Sequence, residues 1–289
     1  MKKFSIIGVG GFVAKKHIDC IKNLKGKLIS ACDINDNVGF LDKNFPKTLF
    51  FKKEKDFFNY NRLKKVDFIV ICTPSYLHFQ QIKKSLEAEC NVIVEKPPVL
   101  NHLDLKKIYS LEKKHKKKCY CIFQLRLNKK LMFLKKKIIK KPKLFINKKI
   151  SIDYYTYRGD WYFKTWKNLK NLSGGLLVNI GIHFFDILIW LFGDIKNINF
   201  KKKNNEFSSG DLEFNYAKVS WNLSLKRNNM SIKNKKTKFL RRMIVGKHIF
   251  QFDKFNDLHE KNYLSIIKNK KFHISQFEST IKILSNISK

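Results

Sequence analysis

Asn179, His183 and Asp186 are polar groups in the otherwise apolar run Ser173-Gly174-Gly175-Leu176-Leu177-Val178-Asn179-Ile180-Gly181-Ile182-His183-Phe184-Phe185-Asp186. Their spacings of four and three predict a single helix face carrying all three. Burying such groups without partners costs about 2–7 kcal/mol, so the face is expected to bind something. Of the three, only the imidazole titrates near neutral pH and can take a proton from a hydroxyl. Asn179 cannot act as a base and is expected to orient a ligand. Asp186 is expected to serve the helix as a structural partner. A core helix with an internally satisfied histidine is the competing reading.

Further candidate groups lie in the first 130 residues. Glu95-Lys96-Pro97-Pro98 follows the apolar run Asn91-Val92-Ile93-Val94 and places an ionisable pair where a strand stops. A cis peptide before Pro97 or Pro98 would make that turn rigid and fix the Lys96 ammonium. Thr73-Pro74-Ser75-Tyr76-Leu77-His78 ends another apolar run, Val66–Cys72, with the proline stopping the strand. At the N-terminus, Lys3-Phe4-Ser5-Ile6-Ile7 leads into Gly8-Val9-Gly10-Gly11-Phe12-Val13-Ala14 and then a helical stretch. Strand, glycine turn and helix in this order let a backbone approach a pyrophosphate at a helix N-terminus. Asp33 closes the next apolar run, where a carboxylate accepts both adenosine ribose hydroxyls and repels a 2′-phosphate, which favours NAD over NADP. Val13 takes the third glycine's place, with Ala14 one position later.

These residues need a frame. Up to about residue 122 strand and helix signals alternate, at Leu28–Cys32, Val66–Cys72, Asn91–Glu95, a helix near 101–117 and Cys119–Phe123, which predicts a doubly wound parallel sheet. Ligands of such a sheet sit beyond the strands' carboxyl ends. From about 145 the runs Ile150–Tyr157, Leu212–Leu225 and Phe239–Phe252 read as longer strands of a mostly antiparallel sheet. The chain divides into a cofactor domain, residues 1–122, and an α+β domain, residues 123–289. At 289 residues there is length for two cores.

A net charge of +38 would suit a nucleic-acid binder, yet only six of the 61 basic residues are arginines, at 62, 126, 158, 227, 241 and 242. The lysines are dispersed, as in a protein encoded by an AT-rich genome, so no specific nucleic acid is expected as a partner. The six cysteines lack metal-ligand spacing and fit a reducing cytoplasm, and no metal is expected. The apolar stretch from Gly175 to Gly193 contains Asn179, His183 and Asp186, which are expensive in lipid, so no membrane insertion is expected. Against the lysine bias, Arg158 and Arg126 stand out, because a planar fork suits a carboxylate or phosphate as lysine does not.

Taken together, Gly8-x-Gly10, Asp33, Thr73-Pro74-x-x-x-His78, Glu95-Lys96-Pro97 and Gly174-Gly175…Gly181-x-His183-x-x-Asp186 resemble the Gfo/Idh/MocA oxidoreductases over essentially the whole chain. Within that family the chain looks most similar to the bacterial UDP-N-acetylglucosaminuronate 3-dehydrogenases of lipopolysaccharide sugar synthesis. Gln124-Leu125-Arg126, Arg158 to Lys167, Asn179 in place of the usual aspartate, and Asp257-Leu258-His259 carry that likeness. The resemblance implies a Rossmann domain followed by a large open-faced sheet, with NAD as cofactor and a UDP-sugar as substrate. It also implies a homodimer or homotetramer. Gly8, Gly10, Gly11, Phe12, Val13, Asp33, Thr73, Pro74, His78, Glu95, Lys96 and Gln124 would hold the cofactor. Lys96, Arg126, Arg158, Trp166, Asn179 and His183 would face the sugar. His183 is favoured as base with Lys96 stabilising the developing alkoxide, and the reverse assignment stays open.

Overall fold

Six parallel strands form the first sheet in the computed structural model, which describes residues 1–226, 239–252 and 257–288. They are β1 (Lys3–Ile7), β2 (Lys27–Cys32), β3 (Leu49–Phe51), β4 (Phe68–Ile71), β5 (Asn91–Val94) and β6 (Cys119–Cys121), in the order β3-β2-β1-β4-β5-β6. The order reverses direction beside β1, the switch point at which doubly wound sheets open a ligand crevice. Its helices are α1 (Ala14–Asn23), α2 (Phe40–Asn44), α3 (Glu54–Leu63), α4 (His78–Glu87) and α5 (Leu103–His115). β1, β4 and β5 are buried on both faces, as strands covered by helices on each side must be, and are apolar apart from Ser5 and the end residues Lys3 and Asn91. β3, α2 and α3 go unread in the sequence, because Leu49-Phe50-Phe51 and the five-residue α2 are too short to show a period.

This first compact unit comprises Met1–Phe123 and also His259–Ile281, a later segment that a division at residue 122 does not capture. The returning segment is held by several independent contacts. Cys121 N–H donates to Phe272 O at 2.9 Å, Phe123 stacks on Phe277 at 4.1 Å, and Tyr120 and His273 form an isolated antiparallel bridge. It extends the sheet edge and buries Tyr263, Ile266, Ile274 and Phe277, which a parallel sheet's last strand would otherwise leave uncovered.

The second unit, Gln124–Leu258 with Lys282–Lys289, holds a mixed sheet in the order β12-β11-β7-β10-β9-β8. Its strands are β7 (Ile150–Thr156), β8 (Asn197–Lys203), β9 (Phe207–Phe214), β10 (Ala217–Ser224), β11 (Phe239–Val245) and β12 (His248–Gln251). Only β7 and β10 pair in parallel; the other neighbours are antiparallel. Two expected long strands are hairpins: Leu212–Leu225 turns at Asn215-Tyr216, and Phe239–Phe252 turns at Gly246, whose φ of +59° suits a tight reversal. Helices α6 (Lys129–Lys140), α7 (Asp160–Phe163), α8 (Lys170–Ser173) and α9 (Ile182–Phe192) complete it.

One face of this sheet receives α9. Phe184 and Phe185 stack at 4.4 Å and meet Trp221 at 5.6 and 5.7 Å, so the run long and apolar enough to cross a membrane is a buried core helix here. Gly174, at φ +76°, ends α8 in the left-handed region, and a Cβ there would lie 2.5 Å from the Val178 side chain.

Candidate active site

The turn after β1 is built to bring bare backbone close to a ligand. Gly8 has φ +80°, and a Cβ on it would stand 2.7 Å from Thr73 N and 2.8 Å from Cys72 C. No other residue fits there. Gly10 N–H donates to Asp33 Oδ2 at 2.9 Å and Asn35 N–H to Asp33 Oδ1 at 3.0 Å, which aims the carboxylate from the end of β2 across the turn. Among the described residues nothing accepts the Phe12 or Val13 N–H, and Val13 opens α1 without a side-chain cap. Those are the orphan donors that a helix N-terminus offers to a phosphate. Phe12 is 96% exposed, so its contribution to the turn is its main chain. This cradle fits a dinucleotide: glycine backbone for the pyrophosphate, and Asp33 for the ribose hydroxyls.

Two more strand ends line the same edge. After β4, Thr73 Oγ1 donates to Gln81 Oε1, and buried His78 sets Nε2 2.9 Å from Thr73 O and Nδ1 2.7 Å from Pro97 O. His78 thereby ties the Thr73-Pro74 turn to the Lys96-Pro97 turn, which contains the cis peptide Lys96–Pro97. Its ring lies between those two carbonyls and, when neutral, donates its single N–H to one of them. Glu95, expected among the cofactor contacts, is also buried and turns its carboxylate inward: Oε1 lies 3.0 Å from His17 Nε2 and Oε2 accepts Lys96 N–H at 3.2 Å. Lys96 is half-buried.

The buried histidines make stability pH-dependent. Burial lowers the pKa of His17, which hydrogen bonding and charge from Glu95 only partly offset, and burial likewise lowers that of His78. Above about pH 6.5 neither state carries the extra proton. Below it the unfolded chain binds protons that the fold refuses, so stability is lost as pH falls, by up to about 1.4 kcal/mol per pH unit for each histidine. Urea midpoints at pH 7.5 and 5.5 should therefore move down together with pH. A flat profile over that interval would rule this out.

In the second unit the three polar residues of the expected helix face have different surroundings. A π-helical turn, Leu177–Gly181, carries Asn179 and precedes α9, which carries His183 and Asp186. Asn179 is buried and donates through Nδ2 to Tyr162 Oη at 3.1 Å and Lys167 O at 3.2 Å, which fixes the Asp160–Lys167 segment. Asp186, 1% exposed, receives Arg126 bidentately, at 2.9 Å to Nε and 2.5 Å to Nη2. Arg126, expected to hold a sugar carboxylate or diphosphate, is thus already forked onto a protein carboxylate. His183 alone of the three is half-exposed, and its ring stacks against Tyr154 at 6.2 Å. Gln124, expected at the cofactor, has a buried Oε1 with no hydrogen-bond partner among the described residues, an acceptor open to a ligand.

Around Tyr154 and Tyr162 lies a group of cations. Burial lowers the pKa of Arg158 first, and the charge of Arg241 lowers it further; Lys167 is lowered by burial and then by Arg158. Among the described residues neither Arg158 nor Lys167 has an acidic partner. Lys167 Nζ stands 4.8 Å from the Trp166 ring and 5.6 Å from that of Trp161, and the Arg241 guanidinium lies 5.1 Å over Tyr154. Clustered cations walled by aromatics are a receptor for an anion. Sequence reading finds Arg158 and Trp166 but misses Lys167 and Arg241. The scarcity of arginine could have flagged Arg241, which β11 brings opposite Tyr154 by strand register.

Comparison with known proteins agrees with this geometry. Residues 2–123 match the model of the oxidoreductase family's NAD-binding Rossmann fold, and residues 136–213 that of its C-terminal alpha/beta domain. The WlbA (WbpB) dehydrogenase of Thermus thermophilus, solved with NAD and alpha-ketoglutarate, is 31% identical, with a TM-score of 0.94 over 100% of this chain and 95% of that one. The same enzyme was also solved with NAD and UDP-GlcNAcA. Bordetella pertussis WlbA, 18% identical with a TM-score of 0.80 over 99% of this chain and 95% of that one, shares the fold. The oxidoreductase YteT of Bacillus subtilis is 28% identical over 163 residues, which is 56% of this chain and 36% of YteT; the chain spans about a third of the length of the first curated relatives it matches. With the glycine cradle, the Asp33 carboxylate, the paired strand-end turns and both domain matches in one order, the chain belongs to the Gfo/Idh/MocA family of NAD-dependent oxidoreductases.

Proposed function

We propose that this protein oxidises the 3-hydroxyl of UDP-N-acetylglucosaminuronate to a 3-keto sugar nucleotide, in the synthesis of a lipopolysaccharide sugar. The observation that carries this is the cation group Arg158, Lys167 and Arg241 beside the His183–Tyr154 pair. A neutral sugar ring gives such a cluster nothing to neutralise beyond the diphosphate that every UDP-sugar carries, whereas a uronate adds a carboxylate. The likeness to a Thermus dehydrogenase that binds UDP-GlcNAcA supports the same substrate class.

Bound NAD supplies the hydride acceptor. His183 takes the hydroxyl proton, an imidazole needing little tuning for this near neutral pH. Lys96 is read as the electrostatic partner whose charge stabilises the developing alkoxide. Arg158 takes the carboxylate, while Asn179 holds the Tyr162 and Lys167 walls in place. A dicarboxylate fits the same cations, so alpha-ketoglutarate, present in the Thermus complex, is a candidate second substrate for regenerating the oxidised cofactor.

NADH formation should be measured with UDP-N-acetylglucosaminuronate, UDP-glucuronate and UDP-N-acetylglucosamine. The first should be the best substrate and the last, lacking the carboxylate, the poorest. Losing a hydrogen-bonded charge contact worth about 1.5–3 kcal/mol, Arg158→Lys should lower kcat/KM for the uronate about 10–10²-fold and leave the neutral sugar unaffected. Equal turnover of acid and neutral sugars would end the carboxylate reading.

A further inference from the structure

Behind the Lys96 turn lies a buried group that neither the cradle nor the cation cluster uses. His17 sits in α1, the helix that opens on the glycine turn. His259 and Tyr263 lie one turn apart on the returning helix Leu258–Asn269, and Glu95 follows β5. Tyr263 Oη is 2.7 Å from His17 Nδ1, and His17 Nε2 is 3.0 Å from Glu95 Oε1. His259 Nε2 stands 3.6 Å from the same oxygen. All four are buried.

Only one arrangement of protons satisfies this chain. Burial raises the Tyr263 phenol well above its ordinary range, so its O–H stays on and donates to His17 Nδ1. His17, neutral through burial, must then carry its proton on Nε2 and donate it to Glu95. Burial would raise Glu95, but the hydrogen bond from His17 and the neighbouring His259 hold its carboxyl well below the usual range, so it is an anion. Its second oxygen accepts the main-chain N–H of Lys96. A charge-assisted hydrogen bond at that point fixes where the Lys96 side chain begins.

We propose that His17, His259 and Tyr263 are positioning residues for Lys96: they hold Glu95 as a buried anion, and Glu95 pins the Lys96 backbone in register with the helix that carries the cofactor turn. The proposal rests on the reading of Lys96 as a reacting group. Because α1 and β5 are joined through this one carboxylate, the cofactor cradle and the lysine move together. His17, Glu95 and His259 also place ligand atoms within 4.8 Å of one another, as a metal site would. The Tyr263 bond to His17 Nδ1 and the hydrogen-bond length from His17 to Glu95 favour the proton network instead.

The test compares His17→Leu, His17→Gln and Tyr263→Phe with the wild-type protein. Gln can donate an amide N–H where Nε2 stands; Leu cannot. Misplacing a reacting group by about 1 Å costs about 10²-fold, so His17→Leu should lose kcat on that scale with the KM for NAD unchanged, and His17→Gln should recover most of it. The second readout needs no sugar. Competitive acetylation of Lys96, followed by mass spectrometry across pH, should give a profile that shifts in His17→Leu and Tyr263→Phe and returns in His17→Gln. If the leucine variant does not fold, Tyr263→Phe, which keeps the ring, carries the acetylation test. An unshifted Lys96 profile in the folded variants, unchanged kcat in His17→Leu, or stoichiometric metal in the purified protein overturns the proposal. If the wild-type protein oxidises no sugar nucleotide, the proposed function fails, while the acetylation profiles still decide the network.

Discussion

Lys96→Met and His183→Gln are each expected to cut NADH formation by about 10²–10⁴-fold, the range supplied by a positioned acid–base group, while leaving NAD binding intact. The two losses should differ in their pH dependence. His183 must be neutral to accept a proton, so wild-type kcat/KM should fall as pH drops through its pKa, and His183→Gln should lose that acid limb. On the proposed role Lys96 acts through its charge, so Lys96→Met should lower the rate at all pH values below the lysine range and keep the limb. If instead the limb survives in His183→Gln and vanishes in Lys96→Met, the roles are reversed and the lysine is the base. Titration with NAD followed by tryptophan fluorescence checks that the cradle is unharmed. Neither substitution alters its glycines or Asp33.

Asp186→Ala should destabilise the second unit by about 3–5 kcal/mol, because it leaves the Arg126 guanidinium, only 10% exposed in its side chain, with its carboxylate removed. The pair need not be a large net source of stability, since desolvating two charges offsets most of their attraction. The double variant Arg126→Met/Asp186→Leu is therefore expected to recover most of the loss and to keep activity. Urea denaturation of the wild type, both single variants and the double variant measures this as a cycle. If the double variant retains its fold but loses turnover of the uronate, Arg126 touches substrate after all.

Much of the first unit was legible in the chain. Short, uniformly apolar runs ending in Gly8, Thr73-Pro74 and Glu95-Lys96-Pro97 announce parallel strands whose ends hold chemistry, because a covered sheet needs apolar residues on both faces and turns need glycine and proline. The second unit was harder. Leu212–Leu225 and Phe239–Phe252 alternate continuously through their turns, so the hairpins at Asn215-Tyr216 and Gly246 left no break in the period. The winding itself also left no local mark: the π turn over Leu177–Gly181 precedes α9 without any change in composition.

What the sequence alone determined is the set of local instructions: strand, glycine turn, helix, the Asp33 carboxylate and the order of the motifs. Those depend on residues adjacent in the chain. Which polar group was spent and which was left for a ligand only the tertiary structure decided. Asp186 went to Arg126, Asn179 to Tyr162 and Lys167, and Glu95 to His17 and His259, while Arg241 arrived beside Tyr154 through the register of β11 on β7. Each partner lies more than ten residues away in sequence, and pairing at that range is set by burial and strand register, which no local pattern of residue types records.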